Sequence, residues 1–489
     1  MTTGRVTIFE STSTLAKRWE LDAEGKPCKT SAAQMTQGTY RVAEFDSAAG
    51  LAALLEAVTT KQAVCASLPL DGSSAGSIVT QASLSKNPGA KARTKTHFGP
   101  QPGPGLLFLD HDSATSEGGM SRDELWHWLV ELIPQIKSVG VVWRPSGSSH
   151  IHHGENDLTG LRGQHVFVAL ADAAQGPRVI KTLAARFWLA GLGRVEVSKS
   201  GALLLRCPID TAPSDAARLI FAGPADSVQP LEQRRGPAVL LSEGGFLDSR
   251  HAVPDLTAAE QGRYEALIEQ AKAAAMPLAL HRRVEHRGNI VARRLPDLMK
   301  KEGCSAAIAE ERIGAAVDAA YGGYLLADFD LMAVFGDGRR EVVTVAQVLG
   351  DRDRWHLVDV LDPLNPEHRG GAADCRLYLH VTSPIAYSLD DGGTVYRLRA
   401  AKQRLTVARG ARGELVAQLA EIVAGMEQVF STDTGPVLLD AGRRLPLTPE
   451  RLMNLIGTSV VLTTAGAKGP SPMDLNRETA GLVLAALSA

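Results

Sequence analysis

Two carboxylates one residue apart end an unbroken apolar run in Gly105-Leu-Leu-Phe-Leu-Asp110-His-Asp112. A short run of this kind reads as a buried sheet strand. Residues i and i+2 of a strand point to the same side, so Asp110 and Asp112 present two carboxylates to one point. Like charges that close repel unless a cation lies between them, and hard oxygen donors suit Mg²⁺ or Mn²⁺. Further along, Gly163-Gln-His165-Val-Phe-Val-Ala-Leu170 reads as a strand opened by a histidine, and a hairpin strand over 202–209 runs into Asp210. Three carboxylates and a histidine at strand ends suit a pair of divalent ions and in-line phosphoryl transfer, with the histidine donating to a triphosphate. That is nucleotidyltransferase chemistry. Taken singly, each Asp is also an ordinary turn residue, and His165 an ordinary structural histidine.

The elements that must hold these residues alternate along the chain. Strands are predicted at 6–9, 39–45, 62–67 and 139–143, and helices at 47–58, 121–136 and 176–191. The second helix opens on a Ser-x-x-Glu capping box, Ser121 to Glu124. A hairpin is predicted over 194–198 and 202–209 around Lys199-Ser-Gly201. Several strands are joined by hairpins, which argues α+β rather than a doubly wound sheet. Residues 71–104 are rich in Ser, Gly and Pro and read as a mobile basic arm carrying Lys86, Lys91, Arg93, Lys95 and His97. Residues 144–153, with His150, His152 and His153, read as a loop.

Beyond a boundary near 246–254, helices are expected at 258–275, 282–301 and 306–321. The middle one holds seven Lys or Arg against two acids, with apolar residues between them. Such a helix is usually a solvated face, yet it is also the best local candidate for contacts to a phosphate backbone, Arg282 and Arg283 included. From 328 to 400 the pattern is short strands between Gly- and Asp-rich turns. The remainder, 401–489, reads as mainly helical. The expected organisation is therefore 1–245, 246–327, 328–400 and 401–489.

Composition narrows the setting. The chain has 489 residues, 44% of them apolar, and a net charge of −2, so no global basicity points to a polyanion. Its five cysteines form no Cys-x-x-Cys pair, which argues against structural zinc or a disulfide framework and fits a reducing cytoplasm. The N-terminus has no apolar signal segment, and no apolar run reaches membrane-spanning length.

The order Leu109-Asp110-His111-Asp112, then Gly163-Gln164-His165 before a strand, then Ile209-Asp210, resembles the archaeo-eukaryotic primase (prim-pol) superfamily. Bacterial plasmid and phage primase-like proteins are similar over about residues 40–245. The resemblance implies an RRM-like primase-polymerase core of mixed sheet and flanking helices, followed by a helical segment and a small β-rich domain. It implies that Asp110, Asp112 and Asp210 bind Mg²⁺ or Mn²⁺, and that His165 contacts the phosphates of the incoming nucleotide. Glu196 is a second candidate for the third carboxylate. Arg162, Lys199 and Arg206 are candidate triphosphate or template contacts on charge alone, and Lys95 belongs to the basic arm. The implied partners are a single-stranded DNA template, nucleoside triphosphates and a separate helicase, since the chain carries no Gly-x-x-x-x-Gly-Lys-Ser/Thr loop.

Two rival readings stand beside this one. A rolling-circle nuclease would use His150 and His152 to hold one metal and Tyr264, on a predicted helix, as nucleophile. Its histidines need a rigid strand, which the reading of 144–153 as a loop does not supply. A non-catalytic single-stranded DNA-binding module is the other.

Overall fold

Apolar residues alternate on the two sides of the Gly163–Leu170 strand, and both sides are buried. That strand is the centre of the first of two compact units, residues 1–196 and 205–274; the second holds 197–204 and 275–489. The computed structural model describes residues 2–31, 35–112, 119–214, 217–381, 383–390, 393–400, 403–408, 410–426, 428–433, 435–440, 443–465 and 471–488. The chain is α+β, as the alternation of its elements predicts. No helix among the described residues is long and apolar enough to cross a membrane.

In the first unit, four antiparallel strands form the sheet that carries the candidate residues. Their order is Val239–Ser242, Val141–Pro145, Gly163–Leu170, Gly105–Asp112. Gly105–Asp112 and Val141–Pro145 flank Gly163–Leu170 and are joined through the helix Arg122–Leu132. Gly163–Leu170 and Val239–Ser242 flank Val141–Pro145, with the helix Gly176–Leu189 between them in sequence. These are two interleaved split β-α-β units. The Arg122–Leu132 helix begins where the sequence predicts, because Ser121 and Glu124 satisfy each other's backbone amides in a capping box.

One face of this sheet is a core of Leu107, Leu109, Val141, Val166 and Val168 packed on Leu125 and Leu129 of one helix and Val179, Leu183 and Phe187 of the other. The opposite face carries Leu106, Phe108, Val142, Phe167 and Ala169. These meet Val6, Ile8, Ala43 and Phe45 of a second four-stranded antiparallel sheet, ordered Gln62–Cys65, Gly4–Ser11, Gln37–Phe45, Ala75–Val79, and Leu51 and Leu55 of the helix Ala48–Glu56. Fully burying one such side chain stabilises the fold by about 1.5–3 kcal/mol. The strand Lys17–Leu21 pairs with Pro27–Ser31 and Asp226–Ser227 in a smaller sheet.

Three expectations are corrected here. Residues 71–104 are not a loose arm: they contain the edge strand Ala75–Val79 and a 3₁₀ turn at Gln81–Lys86. Lys91 is tied to Asp71 at 2.6 Å, and Arg93 donates to the Ala217 carbonyl at 3.0 Å. Residues 151–153 are a strand, between Asn156–Asp157 and Leu231–Gln233. The predicted helices at 258–275 and 282–301 are one helix, Ala258–Glu302, which accepts Pro277 and Pro296 within it.

In the second unit, Ala306–Tyr321 is capped by Ser305, and a seven-stranded sheet runs between Tyr324 and Leu398. Ile290 and Val291 of the long helix share one core with Ile313, Val317, Leu331, Val343 and Leu377. Residues 401–489 differ from the mainly helical expectation. Three helices, Arg412–Ala424, Pro449–Ser459 and Arg477–Ser488, enclose a core with the strands Gln403–Ala408 and Val460–Ala465, and a further three-stranded sheet lies within 429–446.

Candidate functional site

Strand register brings the first residues together. Asp110 lies directly opposite His165, and Asp112 opposite Gly163. These four positions continue the face that carries Leu106, Phe108, Phe167 and Ala169, so an apolar face turns polar at one end. The His165 Nε2 atom is 3.6 Å from Asp110 Oδ1, beyond a direct hydrogen bond but close enough to share a ligand. Its Nδ1 is buried with no hydrogen-bond partner among the described residues, and its ring meets Phe108 edge-on at 5.1 Å. Gly163 is required by close approach: a Cβ there would sit 2.5 Å from Ser146 Oγ and 3.4 Å from Asp112 Oδ1.

Asp210 arrives by a different route from the one predicted. The hairpin strand stops at Arg206, and Asp210 follows in a turn whose Ala212 amide bonds Asp210 Oδ1 at 3.0 Å. It is fixed to the sheet edge by its own amide, which donates to the Asp110 carbonyl at 2.8 Å. His111, facing away from Asp110 and Asp112, helps to hold this turn through a 2.6 Å contact of Nδ1 with the Pro208 carbonyl. Glu196 makes a 2.9 Å ion pair with Arg206.

The electrostatics of the three acids follow from this placement. Burial, then the charges of Asp112 and Asp210, push the Asp110 carboxyl up to about 7, with Lys17 and Arg218 opposing. The Asp210 charge thus reaches Asp110, while Glu196 is paired with Arg206. Burial, then the charges of Lys17, Arg235 and Arg144, hold the His165 imidazole neutral, well below its usual range. The site therefore has an acidic edge and a cationic wall.

Sequence reasoning missed the wall. Lys17 Nζ reaches Ser148 Oγ at 2.6 Å, and Trp19 Nε1 bonds the Gly147 carbonyl at 3.2 Å. The loop from Ser146 to Ser149 is buried and tightly held: Ser149 Oγ accepts from the Arg162 and Gly163 amides and donates to the Gly163 carbonyl. Arg144 is buried and donates to the Leu55 carbonyl at 2.6 Å, and Arg235 donates to the Ala222 carbonyl at 3.0 Å. Nothing local in the sequence marks Lys17, Arg218 or Arg235. The run Arg144-Pro-Ser-Gly-Ser-Ser149 was a usable signal, being a Ser/Gly-rich turn straight after a strand.

The other predicted contacts fall elsewhere. Arg162 begins the His165 strand approach, and its amide is bound to Ser149. Arg206 is occupied by Glu196, and Lys95 is an exposed turn residue. Lys199, Arg282 and Arg283 belong to the second unit. There Arg282 donates to the Val197 and Ser198 carbonyls, and Arg283 lies over the Tyr321 ring at 5.2 Å.

The donor set of Asp110, Asp112 and Asp210 is hard oxygen, the type that Mg²⁺ and Mn²⁺ take. Among the described residues, however, the three carboxylates do not bring one oxygen each within 4.8 Å of one another; the set that closes to this distance is His150, His152 and Asp157. Tyr264 is in the long helix, edge-on to Trp188 with centroids 6.5 Å apart. Burial and the Cys207 charge raise its phenol above the usual range, which makes it a poorer nucleophile. Compared with known proteins, the chain matches no family model, no curated protein and no solved structure.

Proposed function

We propose that the chain is a DNA-templated nucleotidyltransferase that builds primers on single-stranded DNA from nucleoside triphosphates, in replication of a plasmid, phage or other mobile element. The observation that carries this reading is the placement of Asp110 opposite His165 and of Asp112 opposite Gly163 at one sheet end, with Asp210 bonded through its amide to the Asp110 carbonyl and the charges of Lys17 and Arg218 acting on Asp110. A nucleoside triphosphate needs both halves: oxygen donors for its divalent ion and cations for its phosphates. The RRM-like description of the core rests on a four-stranded antiparallel sheet with both crossover helices on one face.

Asp110, Asp112 and Asp210 would hold Mg²⁺ or Mn²⁺. Bound there, such ions supply Lewis-acid stabilisation of the attacking and leaving oxygens. Lys17 neutralises phosphate oxygens as a point charge, positioned by Ser148. His165, neutral, donates from one ring nitrogen to a phosphate oxygen without adding a charge beside Asp110. Its ring packs against the paired Phe108 and Phe167 rings, so it need not reorganise during the reaction.

The test is primer synthesis on single-stranded DNA with labelled ribo- and deoxynucleoside triphosphates and with each metal. Labelled oligonucleotides are expected from the wild type. Asp110→Ala and Asp112→Ala should abolish them while leaving single-strand binding near normal. Binding without any synthesis by the wild type would favour a non-catalytic module. The strand placement of His152 gives the nuclease reading one observation in its favour. A covalent protein–DNA adduct lost in Tyr264→Phe would establish that reading instead.

A further inference from the structure

A second donor set takes no part in this chemistry. His152, on the strand Ile151–His153, lies directly opposite Asp157, across the tight turn at Gly154 and Glu155. Ile151 is fully buried against Trp19 and Leu231, so strand alternation turns His152 to the other side. His150 has φ +56, a left-handed backbone uncommon for any residue other than glycine. It is held there at both ends: its amide donates to the Gly160 carbonyl at 2.8 Å, and its carbonyl accepts from Arg234 at 2.9 Å. Asp157 is oriented by the Thr159 and Gly160 amides, which bond Oδ1 at 3.1 and 2.9 Å. That leaves Oδ2 facing both rings, 2.8 Å from His150 Nδ1 and 3.6 Å from His152 Nε2.

We propose that His150, His152 and Asp157 bind one transition-metal ion of the zinc class, with a fourth position left for water or another ligand. One ligand atom from each residue lies within 4.8 Å of the others. Metal–ligand bonds of about 2.0–2.2 Å put tetrahedral ligands roughly 3.3–3.6 Å apart; Asp157 Oδ2 already stands 3.6 Å from His152 Nε2, while its 2.8 Å contact with His150 Nδ1 would have to open on binding. Two imidazoles and one carboxylate are a borderline donor set that favours Zn²⁺ or Co²⁺ over Mg²⁺. His152 Nε2 faces Asp157 Oδ2 at 3.6 Å, too far for a hydrogen bond, which leaves that nitrogen open to a ligand; its Nδ1 is buried and has no hydrogen-bond partner among the described residues. The two turn amides on Oδ1 are the outer contacts that orient a ligating carboxylate. The inference does not rest on the polymerase reading.

The test uses the full-length protein without a histidine tag, stripped with chelator, desalted and titrated with Co²⁺ while visible ligand-field absorption is followed. One equivalent should give a tetrahedral-type spectrum, abolished by stoichiometric Zn²⁺ and unaffected by excess Mg²⁺. His152→Ala and Asp157→Asn should each weaken Co²⁺ binding by roughly 100-fold or more. His153→Ala, the neighbour on the opposite side of the strand, and Asp110→Asn should bind as the wild type does. Weak or absent Co²⁺ binding by the wild type would overturn the site. So would an equal loss in His153→Ala, or a loss confined to Asp110→Asn, which assigns the ion to the acids. If circular dichroism shows that His152→Ala misfolds, Asp157→Asn, which retains an oxygen for the turn amides, decides the matter.

Discussion

Replacing Asp110 by Asn should make the metal-free protein more stable while destroying synthesis. The folded structure lifts the carboxyl from 3.8 to about 7, through burial and the neighbouring Asp112 and Asp210. A displacement of that size corresponds to roughly 4 kcal/mol of disfavoured ionisation. The side chain keeps 31% of its surface exposed, so water relaxes part of this. About 2 kcal/mol is expected to survive. The sign follows from proton binding. Below pH 3.8 both states of the wild type hold the proton, and the variant gains nothing. As pH rises toward 7 the unfolded chain releases a proton that the folded chain retains, so the wild type loses stability; above 7 the loss is complete. Urea unfolding in chelator, followed by circular dichroism, should show Asp110→Asn more stable by about 2 kcal/mol near pH 8 and indistinguishable near pH 4. Equal stability near pH 8, or a difference that does not change with pH, would refute the account of a strained acidic cluster.

Four further substitutions separate the parts of the site. Gly163→Ala drives a Cβ into Ser146 and against Asp112, so it should destabilise by about 1–3 kcal/mol and impair synthesis, read by thermal unfolding and primer assay together. Lys17→Met should change stability by less than about 1 kcal/mol but raise the KM for nucleoside triphosphate at least tenfold, a split visible in steady-state kinetics. Glu196→Gln should retain synthesis and Asp210→Asn should lose it, because Glu196 is paired with Arg206 while Asp210 acts on Asp110; the reverse ranking in the primer assay would move the third carboxylate to Glu196.

The acidic half of the site was legible in the sequence, and the cationic half was not. Gly105–Asp112 and Gly163–Leu170 announce themselves as apolar runs with polar ends, and their pairing puts Asp110 beside His165. Lys17 carries no such mark. It comes to the site because Trp19 packs on Ile151 and bonds Gly147, contacts that span well over a hundred residues. Local composition misled in two places. The Ser and Gly around residues 146–149 look like solvated loop, yet the Ser146 and Ser149 hydroxyls are taken by backbone groups, that of Ser148 by Lys17, and the segment is buried. The Ser, Gly and Pro of 71–104 suggest mobility, yet Lys91 is tied to Asp71 at the start of the segment and Arg93 to the distant Ala217 carbonyl. Asp210 departs from the expected strand end: a turn presents it, bonded to the Asp110 carbonyl.

The shared face of core and site has a consequence for how this chain can vary. Leu106 and Phe108 pack inward on the same side from which Asp110 and Asp112 project. A one-residue deletion or insertion inside either paired strand would turn its side chains to the other face, exchanging the acids for their apolar or histidine neighbours and exposing the packed residues at the same stroke. Length changes here therefore cannot inactivate quietly; they fail as folding defects and are removed by proteolysis before any altered chemistry is expressed. Point substitutions at Asp110 or Asp112 carry no such penalty, so loss of function in a folded protein should arise by exchange of single side chains and not by slippage of the backbone.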